Sequence, residues 1–135
     1  MSFVGDIIVI SGLAITVYKA YKHAAPDGYQ HIPEEVEALQ VLINKVAQHF
    51  RRTTISSDDR LNGLKVLKGC QVVLEDLDSL IKKYKSLISV NKGIVMRGVK
   101  LGKVDLTTLE SRLISNTGLL HDFVQGFVVP ALLLC

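Results

Sequence analysis

One stretch, Ser57 to Ser89, limits what this chain can become. Its apolar residues Leu67, Cys70, Leu74, Leu77, Ile81, Tyr84 and Ile88 recur at alternating steps of three and four. That spacing lays a continuous apolar stripe along one side of an α-helix. A strand cannot use it, because strand side chains alternate with a period of two. Leu61 and Leu64 carry the stripe back toward the start. There Ser56, Ser57, Asp58 and Asp59 offer a capping side chain and negative charge to the positive helix end. Lys65, Lys68, Glu75, Asp76, Lys82 and Lys85 fall on the other face, and Lys82, Lys83 and Lys85 lie toward the negative end. At ~1.5 Å per residue this rod is about 50 Å long and needs partners along one side.

Three further segments supply them. A first helix is expected from about Val4 to Lys22, with Ile7, Ile10, Ala14, Val17, Tyr18 and Tyr21 on one side. Ile8, Val9 and Ile15 spill apolar surface outside that stripe. Ala25, Pro26, Asp27 and Gly28 then mark a turn. A second helix begins near Pro33, which a first turn tolerates because that position has no N–H partner to lose. Glu34, Glu35 and Glu37 suit its positive end, and Val36, Leu39, Leu42, Ile43, Val46, Ala47 and Phe50 form its apolar face. Arg51 and Arg52 close it, and Thr53 to Ser57 is a short loop. Asn91, Gly93, Gly98 and Gly102 interrupt regularity after the rod, so Ser89 to Lys103 reads as a loop with one helical turn around Ile94 to Arg97. A last helix is expected from about Val104 to Gln125, with Leu106, Leu109, Leu113, Leu120, Phe123 and Phe127 in its seam. Asn116 takes the seam position between Leu113 and Leu120. An uncharged tail, Phe127 to Cys135, contains Pro130.

The whole points to an all-α fold: residues 1–135 as a single domain, an up-and-down bundle of about four long helices with a short helical turn or loop before the last. The length suits one domain, and 48% hydrophobic residues with only 6% aromatic imply an aliphatic core. Two cysteines, Cys70 and Cys135, make no disulfide framework and fit a reducing cytosolic setting.

Between Phe3 and Tyr18 the only charge is Asp6. No basic region precedes this apolar run and no small-residue cleavage site follows, so it does not read as a signal peptide. It is shorter than the roughly 20 apolar residues of a spanning helix, and Ser11, Gly12 and Thr16 interrupt it. It is either the fourth wall of the core or a segment stored in the bundle and released to a bilayer. Burying an Ile or Val side chain is worth roughly 1.5–3 kcal/mol in either place. The candidate membrane-targeting residues are Phe3, Val4, Ile7, Ile8, Val9, Ile10, Leu13, Ile15 and Val17.

Charge gives a second candidate. No acid lies between Asp78 and Asp105, while Lys82, Lys83, Lys85, Lys92, Arg97, Lys100 and Lys103 are basic. Either this is a solvated helix end and loop, or it contacts anionic lipid, where each basic residue adds about 1 kcal/mol. Nucleic acid is not expected, since aromatics are few and no recognition helix stands out. Asn116 has two readings: a polar group that satisfies itself or fixes register, or, with Thr117 and Gly118, a hinge.

Enzyme chemistry is not expected. His23, His31, His49 and His121 show no metal-ligand spacing, so no metal site is assigned. No phosphate-binding glycine loop follows a strand, and Ser11-Gly12 lacks the strand-to-helix setting of a nucleophile elbow. Glu75, Asp76 and Asp78 read as a solvated face. No catalytic residue and no cofactor is assigned.

The opening Phe3-Val4-Gly5-Asp6-Ile7-Ile8, then Val17 to Lys22, then Ala25-Pro26-Asp27 with Tyr29, resembles the fungal HeLo-like N-terminal domain of STAND receptors of NACHT or NB-ARC type. Glu34-Glu35-Val36 with Leu39, the Cys70 to Asp78 segment, and Val99 to Lys103 leading to Leu109, Arg112-Leu113 and Ser115-Asn116-Thr117 extend the likeness over nearly the whole chain. Met96 stands where the family often carries a Trp, and Gly98 and Gly118 where bulkier residues are expected. The resemblance implies a bundle related to the executioner domains of HET-S-like and MLKL-like proteins, acting in programmed cell death, heterokaryon incompatibility and innate immunity. It implies oligomerisation on activation, a STAND (NLR-like) module in cis or in trans, and Phe3 to Tyr21 as the membrane-seeking segment. It also implies a cytoplasmic protein that relocates to the plasma membrane, with anionic lipid as a further partner. A homotypic interaction adaptor without membrane activity is the alternative.

Overall fold

In the computed structural model, which describes residues 3–24, 29–52, 56–90 and 100–134, every regular element is an α-helix. Side-chain environments are defined for 5–23, 29–50, 56–86 and 107–126. The helices are α1 (Phe3–Ala24), α2 (Ile32–Arg52), α3 (Ser57–Val90) and α4 (Lys100–Leu134). The expected turn at Ala25 to Gly28 and helical turn at Ile94 to Arg97 lie outside the described residues.

Local chemistry sets the starts. Ser56 caps α3: its side-chain oxygen accepts from the Asp59 amide at 3.2 Å, and its carbonyl accepts from Arg60 at 3.0 Å. At α2 the Ile32 amide donates to the Tyr29 carbonyl and that of Glu35 to His31, both at 3.2 Å, with Pro33 buried in the first turn.

Two boundaries differ from expectation. The loop predicted through Lys103 gives way to helix at Lys100, so Gly102 does not interrupt α4. The tail predicted from Phe127 is also helical, through Pro130 to Leu134. A helical proline crowds the carbonyl four residues back. Here the Ala and Leu residues that follow Pro130 favour helix.

Direction alternates along the chain, but spatial neighbours are not always successive elements. Among the described residues α1 packs on α2 and α3, α4 packs on α2 and α3, and α2 and α3 face each other across the diagonal. Tyr29 and Thr107 share a 2.7 Å hydrogen bond near the starts of α2 and α4, and Phe50 meets Phe123 edge-on at 6.3 Å further along, so these helices run parallel. Arg112 meets Asp76 while Asn116 meets Gly69, so α3 and α4 run antiparallel. It follows that α1 lies parallel to α3.

The core is largely the predicted aliphatic stripes facing inward, joined by Ile32, Val73 and Val124, which those stripes did not include. Ile7, Ile10, Ala14, Val17 and Tyr21 of α1 meet Ile32, Val36, Leu39, Leu42, Ile43 and Val46 of α2. Leu67, Cys70, Val73, Leu74, Leu77 and Ile81 of α3 meet Leu109, Leu113, Leu120 and Val124 of α4. Leu61, expected in the stripe, faces outward; Gly63 is buried there instead, because a second step of three from Leu64 drifts off the face. The Tyr21 hydroxyl donates to the Leu77 carbonyl at 2.8 Å and ties α1 to α3.

Asn116 is half-buried and stays within its own helix. Its Nδ2 donates to the Arg112 carbonyl at 2.7 Å, and Thr117 Oγ1 donates to Leu113 at 2.7 Å. The helix is continuous here, so residues 116–118 form no break. Across the seam, a Cβ on Gly69 would sit 2.5 Å from Asn116 Oδ1. A side chain at that position would have to displace the Asn116 carboxamide.

Candidate functional site

Helix α1 divides the nine candidate membrane-targeting residues between two faces. Ile7, Ile10 and Val17 are core residues, and Leu13 is half-buried at the flank. Ile8, Val9 and Ile15 point away, 62%, 58% and 38% exposed. Phe3 and Val4 belong to the helix, but their side chains lie outside the described environments. The sequence feature behind the outward set is the one read above: apolar residues in excess of one stripe.

The outer face is uncharged as well as apolar. Gly5, Ile8, Val9, Gly12, Ile15 and Thr16 are its exposed members. Thr16 Oγ1 donates to the Gly12 carbonyl at 3.1 Å, so its hydroxyl is turned back on the helix. Asp6 is half-buried on the flank, and the first cation on the outer face is Lys19. Lys22 folds onto Tyr18, with Nζ 3.2 Å from the hydroxyl and 5.4 Å from the ring centre. From Gly5 to Thr16 the uncharged surface runs about 17 Å along the axis. Outer α2 contrasts with it, since Val41 there sits among exposed Glu34, Glu37, Asn44 and Lys45. Among the described residues no helix is long and apolar enough to cross a membrane.

The basic candidates do not form one patch. Lys82 pairs with Asp78 of its own helix at 2.9 Å, on the α1 side of α3. Lys83 lines a groove between α3 and α4, and Lys85 is exposed. Lys92 and Arg97 lie outside the described residues. Lys100 and Lys103 fall in the first turn of α4, where only the backbone is described. The Tyr21–Leu77 bond also fixes their level. Ile8 is 13 residues before Tyr21, and Lys83 six after Leu77, so the two centres are about 28 Å apart along the bundle axis.

Long-range polar contacts that periodicity does not reveal join the helices. His31 Nε2 meets Glu110 Oε2 at 2.5 Å beside the Tyr29–Thr107 bond, and the Tyr29 and His31 rings stack at 6.4 Å. Arg112 Nη1 donates to Asp76 at 3.1 Å. His121 lies against Gln125 and Asp122 of its own helix. No group of three or more His, Cys, Asp or Glu able to hold a metal occurs among the described residues.

Two buried groups have perturbed acidity. Burial pushes the Cys70 thiol up to about 12, against a smaller opposing backbone hydrogen bond, so it is not poised as a nucleophile. Its Sγ points at the Asn116 carbonyl, 3.8 Å away. The Tyr21 phenol is raised further, by burial first and by the nearby Asp78 charge second.

No family model, curated protein or solved structure matches this chain.

Proposed function

We propose that the domain is a non-enzymatic cell-death effector or signalling domain of a fungal NLR-like system, which oligomerises on activation and seats on membranes through α1. The observation that carries the reading is the outward apolar set Ile8, Val9 and Ile15, on a face with no charge from Gly5 to Thr16. A bundle in water loses free energy by presenting such residues, and a contiguous apolar surface marks a contact site. Because the inner face of α1 is fully used by the core, the first contact is interfacial: the helix lies along the bilayer surface with the bundle behind it. Lys82, Lys83, Lys85, Lys92, Arg97, Lys100 and Lys103 add attraction to anionic lipid in this reading. The HeLo-like resemblance supports the same reading, with a STAND module as partner and relocation from cytoplasm to plasma membrane.

The alternative is a homotypic adaptor. Exposed Leu61 and Val72 on α3, and Ile114 and Leu119 on α4, favour it, since they too offer apolar contact away from α1.

Dye release from phosphatidylserine-containing vesicles separates the two. The intact domain is expected to release dye, and Ile8→Asp with Ile15→Asp to abolish release at an unchanged melting temperature. No vesicle binding, together with a saturable complex between copies, establishes the adaptor instead.

A further inference from the structure

The groove between α3 and α4 lies on the opposite flank of α3 from α1. It has a volume of about 360 Å³ and is lined by Asp76, Ser79 and Lys83 from α3 and by Thr108, Leu109 and Arg112 from α4. That volume is at the small end of the ~300–1,000 Å³ typical of small-molecule sites. Two cations face it against one carboxylate. Arg112 spends Nη1 on Asp76 at 3.1 Å, and the rest of its five-donor fork is left for another acceptor. Lys83 has no hydrogen-bond or ion-pair partner among the described residues, in contrast to Lys82 beside it, which is held by Asp78. Ser79 and Thr108 line the same groove, and the buried Leu109 closes it from the core side.

We propose that this groove binds a phosphate monoester, with Lys83 as a point charge and the Arg112 fork as the directional donor. Such a phosphate carries about −1.5 to −2 charge at neutral pH and three acceptor oxygens, enough to engage both cations and a hydroxyl together. Asp76 is then a competitor: it orients the guanidinium while repelling the ligand. The phosphate source is either a soluble phosphate compound or a lipid headgroup. The groove chemistry stands independently of the membrane reading, and only the lipid-borne form rests on it.

The test is a titration of the intact chain with inorganic phosphate at constant ionic strength, followed by backbone amide shifts. Saturable shifts at Ser79, Lys83, Thr108 and Arg112 are expected. Lys83→Gln should weaken binding by up to about fivefold, the upper end of the range for an exposed charged contact. Asp76→Asn should tighten it by a similar factor, a gain that loss of structure cannot imitate, and Lys65→Gln on outer α3 should leave it unchanged. Non-saturable shifts, equal losses in Lys65→Gln and Lys83→Gln, or weaker binding in Asp76→Asn overturn the site. Sedimentation with phosphatidic acid against phosphatidylserine vesicles of equal charge then identifies the source. A phosphatidic acid preference lost in Lys83→Gln assigns the lipid headgroup. Phosphate binding without that preference assigns a soluble compound. Phosphate binding with no vesicle binding at all leaves the groove intact and ends the membrane reading alone.

Discussion

Helices α1 and α3 do the same structural work with different outer faces. Each contributes a buried stripe at three–four spacing, Ile7 to Tyr21 in one and Leu67 to Ile81 in the other. Outer α3 carries Lys65, Lys68, Glu75, Lys82, Lys83 and Lys85 with few apolar residues, the ordinary division for a surface helix. Outer α1 repeats apolar chemistry where the fold needs none. Packing therefore accounts for every inward residue of α1 and for none of Ile8, Val9 and Ile15. That excess is the observation on which the proposed membrane contact rests.

The two faces of α1 should respond differently to substitution. Ile10→Ala, at a fully buried position, should cost about 2–5 kcal/mol in chemical denaturation. Ile8→Ala, 62% exposed, should stay within about 0.5 kcal/mol. A comparable loss from both would mean that the outer face is packed in solution.

The α3 side is sharpened at Gly69. Gly69→Ala obliges the Asn116 carboxamide to turn aside, at most losing its bond to Arg112 at about 0.5–1.5 kcal/mol, against the roughly 1 kcal/mol that alanine gains in a helix, so the net change in stability should be small. In an Asn116→Ala background the same change should become stabilising. A double-mutant cycle measures the coupling, and an additive result would show that the close approach is not constraining.

The tie between the two helices is a smaller effect than Ile10→Ala. Tyr21→Phe removes the hydroxyl that donates to Leu77 and should cost about 0.5–1.5 kcal/mol, read in the same denaturation experiment.

The pH dependence is confined to alkaline solution. Both perturbed groups are neutral when protonated and hold their protons longer folded than unfolded. Cys70 rises from an unperturbed 9.0 to about 12, and Tyr21 is raised from 10.0. Their contribution is fully present below about pH 9 and is lost as pH climbs, because the unfolded state then binds fewer protons. Stability against pH should turn downward from there, with Cys70→Ala flattening the lower part of the slope and Tyr21→Phe the upper part. A flat profile between pH 9 and 11 in the parent would contradict the burial of both groups.

Much of the bundle could be read from residues whose cause is local. The Ser56 cap, the Pro33 start and the three–four stripes each announce themselves within one or two turns. The extent of α4 was hidden because Gly102 and Pro130 ordinarily break helices, whereas this helix continues through both. The diagonal placement of α2 and α3 left no local mark, since stripe spacing says which side is buried but not by whom. Tyr29 with Thr107 and His31 with Glu110 are separated by 78 and 79 residues, and the α3–α4 groove depends on the same long-range register. The apolar excess of α1 was legible. Its division into a spent face and a spare one required the fold.

Amide hydrogen exchange, with and without phosphatidylserine vesicles, reports contact of the outer face of α1 with lipid. The expected result is that vesicles change the protection of amides 8–16 in α1 while those of 67–81 in α3 keep theirs. Amides of α1 held as firmly as those of α3, and unmoved by vesicles, would contradict that contact and leave the domain a bundle that works through protein contacts alone.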